Sequence, residues 1–197
     1  MDLIDSLEVR WFLADDDPRV EALSARFAVI DVLRDEPRED RYRRTGRDDL
    51  GVKVRGASGR QPKLETKTRT AALGTVTLVD GVVGVVERWR KEGERVDAER
   101  ATREGEWVLT RKRRSRLVLG FADDDEGGVC AAEWARVEVE AATWWTFGVE
   151  ATGEGAGVYD AMRRVCEEVI AEGAVTLGPE SSMGYPAWIE REVWRRG

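Results

Sequence analysis

The chain has 197 residues, 36% of them charged against a usual share of about a quarter, and a formal net charge of −7. A hydrophobic content of 42% with eight Trp excludes a disordered acidic chain, and the lack of any histidine excludes Ser-His-Asp triads, Cys-His pairs and His-ligated metals. No stretch nears the roughly 18 apolar residues of a membrane span and the acidic start, Met1 to Ser6, is no signal-peptide pattern, so a single cytoplasmic domain over 1–197 is expected.

Period-2 alternation dominates the chain, which is the strand signature. Ser6 to Leu13 puts Ser6, Glu8 and Arg10 on one face and Leu7, Val9, Trp11 and Leu13 on the other. Asp15-Asp16-Asp17-Pro18 predicts a turn into a helix, with Asp17 as cap, Pro18 at the first position and Val20, Leu23 and Phe27 on a buried face. A charged strand or loop comes next, around Asp40 to Arg44. Leu50 to Gly56 then sets Leu50, Val52 and Val54 opposite Lys53 and Arg55, and Leu64 to Arg69 alternates again. Further strands are predicted over Val82 to Lys91, Trp107 to Phe121, Val129 to Ala141 and Thr143 to Thr152, with a solvated turn at Asp123 to Gly128. Val158 to Ile170 has helical spacing and Gly173 is a suitable stop; Tyr185 to Ile189 suggests a last short helix.

A single half-exposed strand would simply turn its charges to water. Here Glu-Arg, Lys-Arg and Glu-Lys-Arg sets recur at i, i+2 on successive strands, and amphipathic helices are available to cover the apolar faces. The pattern gives about eight strands with two or three helices, an α+β set that fits a β-barrel with a polar, charge-lined interior and helices packed outside. The candidate inward bases are Arg10, Lys53, Arg55, Lys67, Arg69, Lys91, Lys112 and Arg114. The candidate inward acids are Glu8, Glu65, Glu87, Glu133 and Glu150. Such an interior is positive within an acidic chain, which suits an anion.

Several ordered segments carry a resemblance. They are Ser6-Leu7-Glu8-Val9-Arg10, Asp49 to Arg55, Leu64 to Lys67, Val86 to Lys91, Lys112 to Arg114, Cys130 to Glu133, Trp145 to Glu150 and Tyr185 to Trp188. Together they span nearly the whole chain, and they resemble the CYTH superfamily of triphosphate tunnel metalloenzymes, in particular a bacterial CYTH-like group. The first segment is similar to the superfamily's Glu-x-Glu-x-Lys signature, with Ser6 in place of its first Glu and Arg10 in place of Lys. The resemblance implies an eight-stranded antiparallel tunnel-like β-barrel, with Mg2+ or Mn2+ held by Glu8, Glu133 and Glu150 and phosphates gripped by the inward bases. Glu8, Glu65 and Glu87 are then the candidate catalytic carboxylates. Phosphoryl transfer suits these residue types, since it needs its phosphates held and their growing charge neutralised. Losing the carboxylate at Ser6 removes one expected metal ligand, whereas Arg for Lys retains a phosphate grip.

The expected function is therefore binding, and hydrolysis with a divalent metal, of a triphosphate or other phosphorylated small molecule. The alternatives are a non-catalytic nucleotide or polyphosphate sensor or interaction module, and a structural domain whose inward charges pair with one another. Other features have plainer readings. Alternation splits the Arg111 to Arg116 run between two faces, so with a chain of −7 no nucleic-acid partner is expected. Trp145, Phe147 and Val149 read as core, with Trp144 on the opposite face, and Cys130 and Cys166 read as buried reduced thiols. Neither acidic run has the spacing of an EF-hand loop.

Overall fold

The computed structural model describes residues 2–59, 61–121, 128–153, 157–170 and 174–194. Among these, nine strands form one antiparallel sheet: β1 (Asp2–Ala14), β2 (Leu33–Arg34), β3 (Arg38–Arg43), β4 (Leu50–Arg55), β5 (Lys63–Val79), β6 (Val82–Arg95), β7 (Trp107–Phe121), β8 (Gly128–Val139) and β9 (Ala142–Thr152). The order is β2-β7-β3-β4-β5-β6-β1-β9-β8, and β7 also pairs with β8. That pairing, from Thr110↔Val139 to Phe121↔Gly128, closes eight strands into a barrel and removes the open edges a flat sheet would present. The short β2 pairs with β7 on the edge that β3 uses further along. The fold is thus the α+β, tunnel-like barrel expected from the charge alternation and the resemblance together.

Alternation also sorts the apolar residues into two cores. Leu7, Val9, Trp11 and Leu13 of β1 face outward and are buried beneath α1 (Pro18–Val29) and α3 (Gly157–Val169), while the one-turn α2 (Ala98–Ala101) joins β6 to β7. The Asp17 carboxylate accepts from the Arg19 amide at 2.9 Å, with Pro18 at the first helical position, so α1 starts where its capping residue dictates. Leu23 and Phe27 are its buried residues, and α3 buries Val158, Met162, Val165, Cys166 and Val169. Both cysteines are free, and burial pushes their thiols up to about 12. Among the described residues no helix is long and apolar enough to cross a membrane.

The second core contains Phe12, Tyr42, Val108, Val137, Trp188 and Ile189. Phe12 shares a face with Glu8 and Arg10, and Val137 with Glu133, so this cluster lies inside the barrel. The tail supplies it: α4 (Tyr185–Trp188) runs into a wider π turn over Ile189–Trp194. Trp188 stacks on Phe12, ring centres 4.7 Å apart, and meets Trp144 edge-on at 5.8 Å. Trp144 is therefore packing, on the inner face, while Phe147 and Val149 sit in the outer core.

The alternating run that begins at Leu64 is expected to end at Arg69, whereas β5 continues to Val79. Its pairing with β6 shifts register between Arg69 and Ala71, Ala72 and Gly74, and Thr77 and Val79. Each shift breaks the alternation, so this half of the strand has no period to read. The expected stop at Gly173 and the acidic turn preceding Gly128 lie outside the described residues.

Candidate functional site

Above the aromatic floor the barrel encloses a cavity of about 110 Å³. Its wall carries eight cationic side chains, Arg10, Arg38, Lys53, Arg55, Lys67, Lys91, Lys112 and Arg114, against four carboxylates, Glu8, Glu65, Glu133 and Glu150. Of the thirteen candidate residues read from the sequence, eleven line this cavity. The other two, Arg69 and Glu87, pair with each other at 2.7 Å on the same inner face. Arg38, Tyr42 and Tyr185 line it as well and were missed. The Arg111 to Arg116 run divides as its alternation predicts: Lys112 and Arg114 line the cavity, while Arg111 and Arg113 are exposed.

The charges are organised as two chains of ion pairs. In the first, Lys67 meets Glu8, whose Oε1 accepts from Arg10 Nε at 2.8 Å; Arg10 Nη1 donates to Glu133 Oε1 at 2.8 Å, and Glu133 Oε2 accepts from Arg114 Nη1 at 2.9 Å. Arg114 continues to Asp35, which also holds Arg116 at 2.9 Å. Burial opposes ionisation of Glu8, but Lys67 and Arg10 outweigh it and hold the carboxyl at about 2. Burial likewise opposes Glu133, which Arg10 and Arg114 draw well below the usual carboxylate range. In the second chain Asp40 is held by Arg38 at 3.1 Å and Lys53 at 3.6 Å, and Glu65 by Lys53 and Arg55, both at 3.2 Å. Against its burial, Lys53 and Arg55 lower Glu65 to about 2. Glu87 goes the other way: burial, with the Glu8 charge adding to it, raises its carboxyl despite Arg69.

A missing side chain makes the first chain possible. Arg10 and Gly148 are paired across β1 and β9, and Glu133 pairs with Gly148 across β8 and β9. The Arg10 guanidinium crosses over Gly148 to reach Glu133, and a Cβ built there would stand 2.5 Å from Arg10 Cζ. Gly148→Ala is expected to displace the guanidinium and lower stability by about 1–3 kcal/mol. Urea denaturation checks this; a variant as stable as the parent would show that Arg10 has another resting place.

The same carboxylates are the ones a metal would need. Glu87, Glu8 and Glu150 stand in one cross-strand row, and Glu133 is one strand further on. Both oxygens of Glu8 and both of Glu133, however, already accept from cationic side chains. A divalent ion there would have to displace Arg10, which lies between them. Among the described residues no group of three or more potential ligands is placed to hold a metal ion. The set as paired does not fit Mg2+ or Mn2+.

Lysine usage separates the cavity from the rest of the molecule. The chain has five lysines among its 32 basic residues, and four of the five, Lys53, Lys67, Lys91 and Lys112, line this wall. Elsewhere positive charge is almost entirely arginine. Lysine differs from arginine as a compact, titratable point charge, so the interior is where that property is concentrated. Compared with known proteins, the chain matches no family model, and no curated protein matches it.

Proposed function

We propose that the protein binds a phosphorylated small molecule inside the barrel, by its phosphate groups, as a cytoplasmic receptor or sensor. The observation that carries this reading is an unbalanced interior. Lys112, 4% exposed, and Lys91 line the cavity with no carboxylate within 4 Å among the described residues. Buried charge is costly unless its pairing is complete, and an anion completes it. Phosphate oxygens accept several strong charge-assisted hydrogen bonds at once, which suits a wall of guanidinium and ammonium groups. An eight-stranded barrel has room for side chains and one small ligand. The cavity measures several water molecules, enough for a short phosphate chain, with any larger moiety left at the mouth.

Metal-dependent hydrolysis, which the resemblance to triphosphate tunnel enzymes implies, is the weaker form of this reading because Arg10 occupies the carboxylates it needs. Thermal shift and phosphate release with tripolyphosphate, nucleoside triphosphates and thiamine triphosphate, with and without Mg2+ or Mn2+, separate the two. Tripolyphosphate at a hundred times its Kd is expected to add about 2.7 kcal/mol of stability without metal. For a chain of this length that is a rise of roughly 5–10 °C, with no phosphate released. Release that requires the metal would restore the enzyme; no rise with any anion would end the binding reading.

A further inference from the structure

Lys112 differs from every other cation in the cavity. Its Nζ donates to Tyr42 Oη at 2.7 Å and lies 3.6 Å from the centre of the Tyr185 ring, with the Tyr42 ring centre at 5.0 Å. These contacts favour a cation but supply no negative charge. The charged groups facing it are Asp40 and Arg38 from β3, Lys53 from β4 and Glu133 from β8, with Arg114 on its own strand. Arg10 of β1 reaches the Tyr185 ring too, at 5.0 Å. Of the two acids, Asp40 is engaged by Arg38 and Lys53, and Glu133 by Arg10 and Arg114. Charged Lys112 would thus have lost its water and gained cationic neighbours without a counter-ion of its own. Burial first, then Lys53 and Arg38, bring its amine well below the ordinary lysine range. Arg10, equally buried, is held charged by Glu133 and Glu8 in direct contact.

We propose that Lys112 is the proton-accepting part of the binding site: a phosphorylated anion entering the barrel brings the counter-charge this amine lacks, and the cavity takes up a proton together with its ligand. This rests on the anion-binding reading of the same cavity and adds its coupling to pH. Over the range in which Lys112 is neutral in the empty barrel and charged in the complex, affinity falls up to tenfold for each unit of pH increase. Guanidinium cannot serve this purpose because it stays charged throughout, which gives the concentration of lysines on this wall a physical reason.

With five lysines in the chain, the proposal can be read directly. Lysine labelled with 13C at Cε and 15N at Nζ is followed by NMR across the alkaline range, with and without pyrophosphate. One signal is expected to titrate well below the others in the free protein, to be missing from Lys112→Met, and to keep its protonated shift once pyrophosphate saturates the site. The native spectrum is decisive even if that variant does not fold. Five signals titrating together would overturn the proposal. So would a low-titrating signal unmoved by pyrophosphate while other lysine signals shift, although anion binding would then stand. If pyrophosphate moves no lysine signal, the binding reading and the coupling both fall.

Discussion

Arg10→Met is expected to lower stability at pH 7 by about 3–5 kcal/mol, the range for breaking a buried pair by removing one partner. Arg10 is 5% exposed and, among the described residues, is the link between Glu8 and Glu133 in their chain of ion pairs. Without it the Glu8 carboxylate keeps Lys67 but faces Glu87 and Glu150 across both neighbouring strands. Like charges in direct cross-strand register repel. A carboxylate lowered from 4.5 to about 2 adds stability that is fully present above about 4.5 and disappears as the pH falls towards 2. The native protein loses that contribution in acid, and the variant has less of it to lose. Urea denaturation at pH 7 and pH 4 should therefore show the deficit narrowing in acid. An equal deficit at both would mean that Arg10 acts through packing alone.

Lys112→Met should move stability the other way. A lysine whose folded form binds its proton more weakly than the unfolded chain favours unfolding at neutral pH, and the native barrel gains stability as the pH rises through the lysine range. Methionine fills a similar volume without a charge to desolvate, at the loss of one hydrogen bond to Tyr42. A net gain of about 1 kcal/mol, or roughly 2–4 °C in Tm, is expected for the ligand-free variant. Tripolyphosphate affinity should fall at least tenfold, about 1.4 kcal/mol. Melting curves at pH 7.5 with and without tripolyphosphate test both halves. A variant that melts lower and binds unchanged would show that the amine is structural.

The readable parts of the fold are those with a clean period. Over Ser6 to Trp11 of β1 and Val52 to Arg55 of β4 polar and apolar residues alternate, and in α1 and α3 the buried positions recur at helical spacing, so residue type alone assigns the facing. Arg38-Glu39-Asp40-Arg41-Tyr42-Arg43 offers no such contrast. It is polar on both faces, and nothing in it separates Arg38 and Tyr42, which line the cavity, from Glu39 and Arg41. Tyr185 follows from no period at all, because a tail folded into the end of a barrel answers to that barrel's shape. The carboxylates expected to hold a metal sit on the inner face as their alternation predicts. Of their cationic partners, however, only the Arg10 beside Glu8 lies on the same strand; Lys67 reaches Glu8 and Arg10 reaches Glu133 from other strands, and period reports only along a strand. Composition carries a signal that period does not: lysine is scarce, and four of its five positions fall on the cavity wall.

Trp188 stacked on Phe12 has a further consequence for how the molecule comes into being. The second ring to arrive is 176 positions behind the first, and β1 must also find β6 and β9 before its inner face is covered. Contacts so distant in sequence are slow to form. During synthesis Phe12 and the charged row beside it wait uncovered, exposed to the wrong partners that trap incomplete β proteins. Until the chain has grown past Trp188, the cavity has walls and no floor.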